Sequence, residues 1–224
     1  ALRNRGLSLH QKSPEWYAER DVDTVFDTRR ARSIGVPNYR TADDDELGVI
    51  SGWGREMANY FDVERFGDTR SVVYKPTVGQ KRIEEWLVSE VSRKAGITRF
   101  CLSDDYDLVF VWLSFLDTVG HMVPVVDDED WQRRAYDYAA SVTEEIHDTL
   151  EKDDTLVVVS DHGHQNADHT HSAYLGSTDE KVTQGAKSVL DVRGGIERVT
   201  ESSYSSATNE NRSENKVEQS VEMD

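Results

Sequence analysis

Apolar positions along the 224-residue chain fall into contrasting patterns, each predicting a different element. In GQKRIEEWLVSEVSRKAG (79–96), Ile83, Trp86, Leu87 and Val91 recur at three and four, which gathers them on one helical face, with Gly96 able to cap the end. Trp131, Ala135, Tyr138, Val142, Ile146 and Leu150 repeat in the same way within DEDWQRRAYDYAASVTEEIHDTL (128–150), predicting a second helix. DLVFVWLSF (107–115) and TLVVVS (155–160) are instead continuous apolar runs, as expected for strands buried on both faces of a parallel sheet. Strand, helix, strand is the unit that sets parallel strands side by side through a right-handed crossover. The predicted class is α/β, a parallel-sheet core with helices on both faces.

The remaining segments are less regular. ARSIGVPNY (31–39) reads as a short strand entering a Pro-marked loop. Residues 41–79 are acidic and irregular, with a helix expected from Glu46 to Tyr60; the GWG inside it lacks the full dinucleotide fingerprint. SVLDVRGGIERV (188–199) suits a short helix or turn. The Ser-, Asn- and Glu-rich residues 201–224 predict a disordered tail after a single domain over 1–200.

Charge narrows the functional classes. With 26 Lys and Arg against 43 Asp and Glu, the net charge of -17 excludes general affinity for a polyphosphate backbone and for an acidic membrane surface. The acidity is spread along the chain, and Arg outnumbers Lys by 18 to 8, a surface suited to high salt and predicting a halophilic source. Cys101 is the single cysteine, so no intrachain disulfide forms and core packing is its expected role. The opening ALRNRGLSLHQ has no apolar signal core, and LVFVWLSFL is too short for the roughly 20 residues of a membrane span. A cytoplasmic location is the expectation.

The candidate chemistry lies in SDHGHQNADHTHSAYLGS (160–177), which holds four of the seven histidines: His162, His164, His169 and His171. Ligands of parallel α/β sheets sit beyond the carboxyl ends of the strands. The run ending in SFLDTVGHM places Asp117 and His121 past one predicted strand tip, and SDHGH places Asp161 and His162 past the next. Gly120 and Gly163 would allow tight turns that aim the histidines back at the tips. Carboxylates mixed with imidazoles suit a divalent ion such as Zn²⁺ or Mn²⁺, and the set is large enough for two ions clamping a phosphoryl or sulfuryl group. Taken singly, an Asp after a strand is often a turn or cap residue. His164 and His171 are open to several readings: support for the ligands, contact with substrate, or plain exposure. His147 lies among acidic helix residues and reads as a solvated surface group, and His10 has no partner nearby in sequence.

In order and spacing, LDTVGHM, VVSDHGH and DHTHSAYLGS resemble the metal-binding motifs of the alkaline phosphatase superfamily, closest to the type I phosphodiesterase/nucleotide pyrophosphatase group and related archaeal proteins. The resemblance implies that Asp117, His121 and His169 hold one divalent ion and that Asp161 and His162 help to hold a second. DHT also resembles a ligand motif of phosphopentomutases and cofactor-independent phosphoglycerate mutases, which favours His169 over His171. The implied activity is metal-dependent hydrolysis of a small phosphoester, with sulfatase or phosphomutase chemistry as alternatives. A non-catalytic metal-binding remnant is the alternative of another class. The family's first strand, ending in a metal-binding Asp, and its Ser or Thr nucleophile are not recognisable here. Ser8, Ser13 and Thr24 follow no such strand, which leads to the expectation of an N-terminally truncated member.

Overall fold

The computed structural model describes residues 12, 14–27, 29–36, 39, 60–65, 72–165 and 167–200. In chain order these form α1 (Pro14–Ala18), β1 (Ala31–Ile34), β2 (Phe61–Arg65), β3 (Val72–Pro76), α2 (Gln80–Cys101), β4 (Leu108–Val111), α3 (Phe115–Met122) and α4 (Trp131–His147). They continue with β5 (Val157–Val159), β6 (Gly163–Gln165), β7 (Asp168–Thr170), β8 (Leu175–Ser177), α5 (Glu180–Thr183) and a helical stretch over 192–200. The expected helix over 46–60 lies outside the described residues except for Tyr60, and the expected tail over 201–224 lies outside them entirely. Two compact units result: residues through Lys152 with His162–Ser172, and Asp153–Asp161 with the chain from Ala173 onward.

In the first unit β1 and β4 pair in parallel, from Ala31 opposite Leu108 to Ile34 opposite Val111. The ladder extends at both ends, since Asp107 N donates to Arg30 O and Trp112 N to Ile34 O, each at 2.9 Å. Helix α2 lies against both strands and against α4. Its stripe of Ile83, Leu87 and Val91 is buried as the periodicity predicts, and Trp86 stacks on Tyr60. The helix does not stop at Gly96 but runs to Cys101, because the apolar stripe continues: Ile97 and Cys101 pack with Ile34, Tyr106, Val109 and Val111. That packing carries the helix past an interior glycine, which costs about 1 kcal/mol. A buried pair joins α2 to the strand end: Lys94 Nζ lies 2.7 Å from Glu90 Oε1 and donates to Trp112 O at 2.8 Å.

The run 107–115 is not one strand. Leu108–Val111 form β4, half-buried, and Phe115 already begins α3. Ser114 O turns the chain into the helix by accepting from both the backbone N and the Oγ1 of Thr118 at 3.1 Å. Helix α3 packs on α4, β3 and β6. The second predicted helix is present as Trp131–His147, with Trp131, Ala135, Val142 and Ile146 buried. Antiparallel β2 and β3, within the span read as irregular, form a ladder from Phe61 opposite Pro76 to Arg65 opposite Val72.

In the second unit β5 pairs antiparallel with β8, Val157 opposite Ser177 and Val159 opposite Leu175. Asp179 caps α5 by accepting from Lys181 N at 2.8 Å. The partner of β4 is β1 in the first unit, and the partner of β5 is β8 in the second. Helices mixed with a small parallel sheet keep the protein in the α/β class.

Candidate metal centre

Asp117 and His121 reach the site on a helix, not at a strand tip. Four residues apart on α3, they share one face, and His121 Nε2 lies 3.3 Å from Asp117 Oδ1. The other histidines come from a hairpin instead of a loop. In the β6–β7 ladder His164 stands directly opposite His169, so their side chains leave the same face of the hairpin, toward α3. Gly163 stands opposite Thr170, and a Cβ there would lie 2.5 Å from Thr170 Oγ1 and 2.9 Å from Ser172 O. Gly120 is not in a turn; it sits inside α3, and the ring of His164 rests against it, 2.6 Å from where a Cβ would stand.

Three donor atoms form a nearly equilateral triangle. Asp117 Oδ1 is 3.3 Å from His121 Nε2 and 3.3 Å from His169 Nε2, and the two Nε2 atoms are 3.1 Å apart. An ion with bonds of about 2.0–2.1 Å in tetrahedral geometry has ligand-to-ligand edges of about 3.3 Å, so the triangle fits one face of its coordination shell. Asp117, His121, His164 and His169 each offer one ligand atom within 4.8 Å of the others. His162 joins from the side: its ring stacks on His169 at 3.7 Å, and its Nε2 is 3.9 Å from Asp117 Oδ1. Its Nδ1 lies 3.0 Å from Gly163 O.

Electrostatics prepare these groups for a cation. Burial alone would raise the Asp117 carboxyl, but His121, His169 and His162 outweigh it and hold Asp117 below its usual value, ionised. Burial, and then the positive forms of His121, His169 and His162, lower His164 to about 4 against the pull of Asp117. It is therefore neutral at pH 7 and able to ligate. Tyr74, stacked on Phe61 and 4.7 Å from the His121 ring, is pushed up to about 12 by burial and then by the Asp117 charge, and stays protonated.

Of the expected ligands, the structure brings Asp117, His121, His162 and His169 together. Asp161 is exposed and belongs to the second unit, and His171 is exposed just past β7, outside the four-residue group. His147 is exposed, as expected. Thr24 is engaged in a turn, its Oγ1 accepting from Phe26 N and its own N donating to Asp27 Oδ2. Ser8, Ser13 and His10 lie outside the described residues.

A family model described as type I phosphodiesterase / nucleotide pyrophosphatase matches residues 9–222, almost the entire chain. The chain belongs to that family. It is thus a member of the alkaline phosphatase superfamily, of a metal-dependent hydrolase family acting on small phosphoesters. No curated protein and no solved structure matches it. The Asp–His group is a possible site for a divalent ion, and its donor set suits one. Among the described residues no helix is long and apolar enough to cross a membrane.

Proposed function

We propose that this family member is a metal-dependent phosphodiesterase or nucleotide pyrophosphatase, and that Asp117, His121 and His169 hold one divalent ion, Zn²⁺ or Mn²⁺. The observation that carries the reading is the triangle of three donor atoms with edges of 3.1–3.3 Å. By the resemblance of its motif alone, Asp161 with His162 is assigned to a second ion. When bound, such ions polarise a phosphoryl oxygen and offset the charge that develops on it. Asp117 contributes a fixed negative charge, and α3 holds His121 in line with it. Tyr74, protonated and largely buried, keeps that side of the site apolar and uncharged.

The attacking hydroxyl of such enzymes has no recognisable motif in this sequence, and none of Ser8, Ser13 and Thr24 is assigned to that role. The test is metal content after dialysis against Zn²⁺ or Mn²⁺, with hydrolysis of an aryl phosphodiester and an aryl sulfate. His121→Ala and His169→Ala should lose metal, and His147→Ala should not. Equal loss in all three overturns the assignment. Faster turnover of the sulfate ester shifts the substrate class. Turnover abolished by Ser8→Ala, Ser13→Ala or Thr24→Ala would identify that hydroxyl as the nucleophile.

A further inference from the structure

An ion held by three protein ligands keeps a position open for solvent or substrate. A phosphoryl group bound there gives one non-bridging oxygen to the ion and leaves another to be met by the protein. We propose that the Tyr74 hydroxyl meets it, donating a hydrogen bond, so that Tyr74 is a substrate-contacting residue of this site. This rests on the reading above that Asp117, His121 and His169 hold an ion.

Backbone pairing places the residue. Tyr74 stands opposite Val63 in the β2–β3 ladder, and β3 packs on α3, the helix that carries Asp117 and His121. Its ring lies 4.7 Å from the His121 ring, inclined at 44°. Phe61, 3 % exposed, stacks on the same ring at 4.5 Å and 11°. A ring packed against both neighbours keeps little freedom, so its hydroxyl is in place before a ligand arrives. The ring walls the site with apolar surface, and the hydroxyl is the polar tip of that wall. Among the described residues this hydroxyl has no hydrogen-bond partner, yet it is not sealed from solvent. A largely buried tyrosine ordinarily finds a partner for its hydroxyl, and a ligand oxygen would supply the one missing here. The chemistry suits an anion beside a cation. With an ordinary pKa of about 10, a phenol is a neutral donor at pH 7. A lysine or arginine in its place would repel the divalent ion and pair with Asp117, whereas a hydroxyl can hold a phosphoryl oxygen without doing either.

The probe is inorganic phosphate, titrated by calorimetry into the intact chain loaded with Zn²⁺. Tyr74→Phe keeps the stack on Phe61 and the contact with His121 and removes only the hydroxyl. It is expected to retain its metal and to bind phosphate about tenfold or more weakly, the effect of one hydrogen bond to a charged acceptor. Tyr136→Phe, at an exposed position of α4, is expected to change neither. Unchanged phosphate affinity in metal-loaded Tyr74→Phe overturns the contact and leaves the metal centre standing. Metal lost from Tyr74→Phe in step with phosphate overturns it too, because Tyr74 then only packs His121 in place. If Tyr74→Phe fails to fold by circular dichroism, a fluorotyrosine at position 74 keeps the hydroxyl and decides the matter. Its fluorine resonance is expected to shift when phosphate is added to the metal-loaded chain and not to the metal-free chain; no shift overturns the proposal. A wild-type chain that holds metal but takes up no phosphate also overturns it. A wild-type chain that holds no metal removes the metal centre itself, and this inference with it.

Discussion

The buried ion pair between Lys94 and Glu90 gives a quantitative test of how the fold holds the end of β4 from which α3 follows. Lys94 and Glu90 are 2 % and 6 % exposed, and the ammonium contacts both the carboxylate and the carbonyl of Trp112. Burial lowers the Lys94 pKa, and Glu90 opposes that shift. Glu90→Gln removes the counter-charge and keeps the shape, leaving a buried ammonium facing an amide. Breaking one partner of a buried pair costs about 3–5 kcal/mol, whereas replacing both by apolar groups of similar volume is close to neutral. At a urea m-value of about 2 kcal/mol/M, the single variant should shift the midpoint down by about 2 M, and Glu90→Leu with Lys94→Met should recover most of it. Because Trp112 stands three residues before α3, the single variant should also weaken metal binding although no ligand changes. A midpoint shift below about 0.5 M, or a double variant as unstable as the single one, would refute the argument.

Other outcomes follow from the same geometry. In metal-free protein with chelator present, unfolded histidine takes up its proton near 6.5 but folded His164 resists until about 4, so its contribution is whole above 6.5 and is lost as pH falls to 4. Solvent screening of the partly exposed ring holds that contribution to about 1–2 kcal/mol; His164→Gln should flatten urea midpoints across that window, and an unchanged slope would count against it. Gly163→Ala would force its Cβ against Thr170 and Ser172, and calorimetry should show a loss of about 1–3 kcal/mol together with lower metal content. The net charge of -17 predicts a thermal midpoint that climbs from low to molar KCl as repulsion is screened; a flat curve would remove the halophilic reading.

Helical periodicity made α2 and α4 legible, because Ile83, Leu87 and Val91, and Trp131, Ala135 and Val142, each mark one face. The continuous apolar run 107–115 could not reveal its own change from strand to helix, since such a run fits either. The turn depends on Ser114 O receiving two bonds from Thr118, a local contact with no periodic trace. The ligand types were readable from the Asp–His pairs, yet the place of His164 beside them was not. That place follows from its position opposite His169 and from the space above Gly120, both set by the hairpin register. Asp and His alternation in DHGH and DHTH signals neither. The β2–β3 pair, and with it Tyr74, went unread because FDVE alternates over only four residues and VVYKP does not alternate and ends in proline.

Carrying Asp117 and His121 on consecutive turns of α3 makes their spacing a matter of angle as well as distance. Each residue of an α-helix advances about 100° and 1.5 Å, so inserting one residue between the pair would carry His121 to about 140° from Asp117, off the face they share. An extended segment after a strand would absorb such a change by sliding. The Asp-x-x-x-His interval is therefore length-locked in this protein. A related sequence with one or four residues between the pair should be read as having lost the centre, however similar the remainder of the chain.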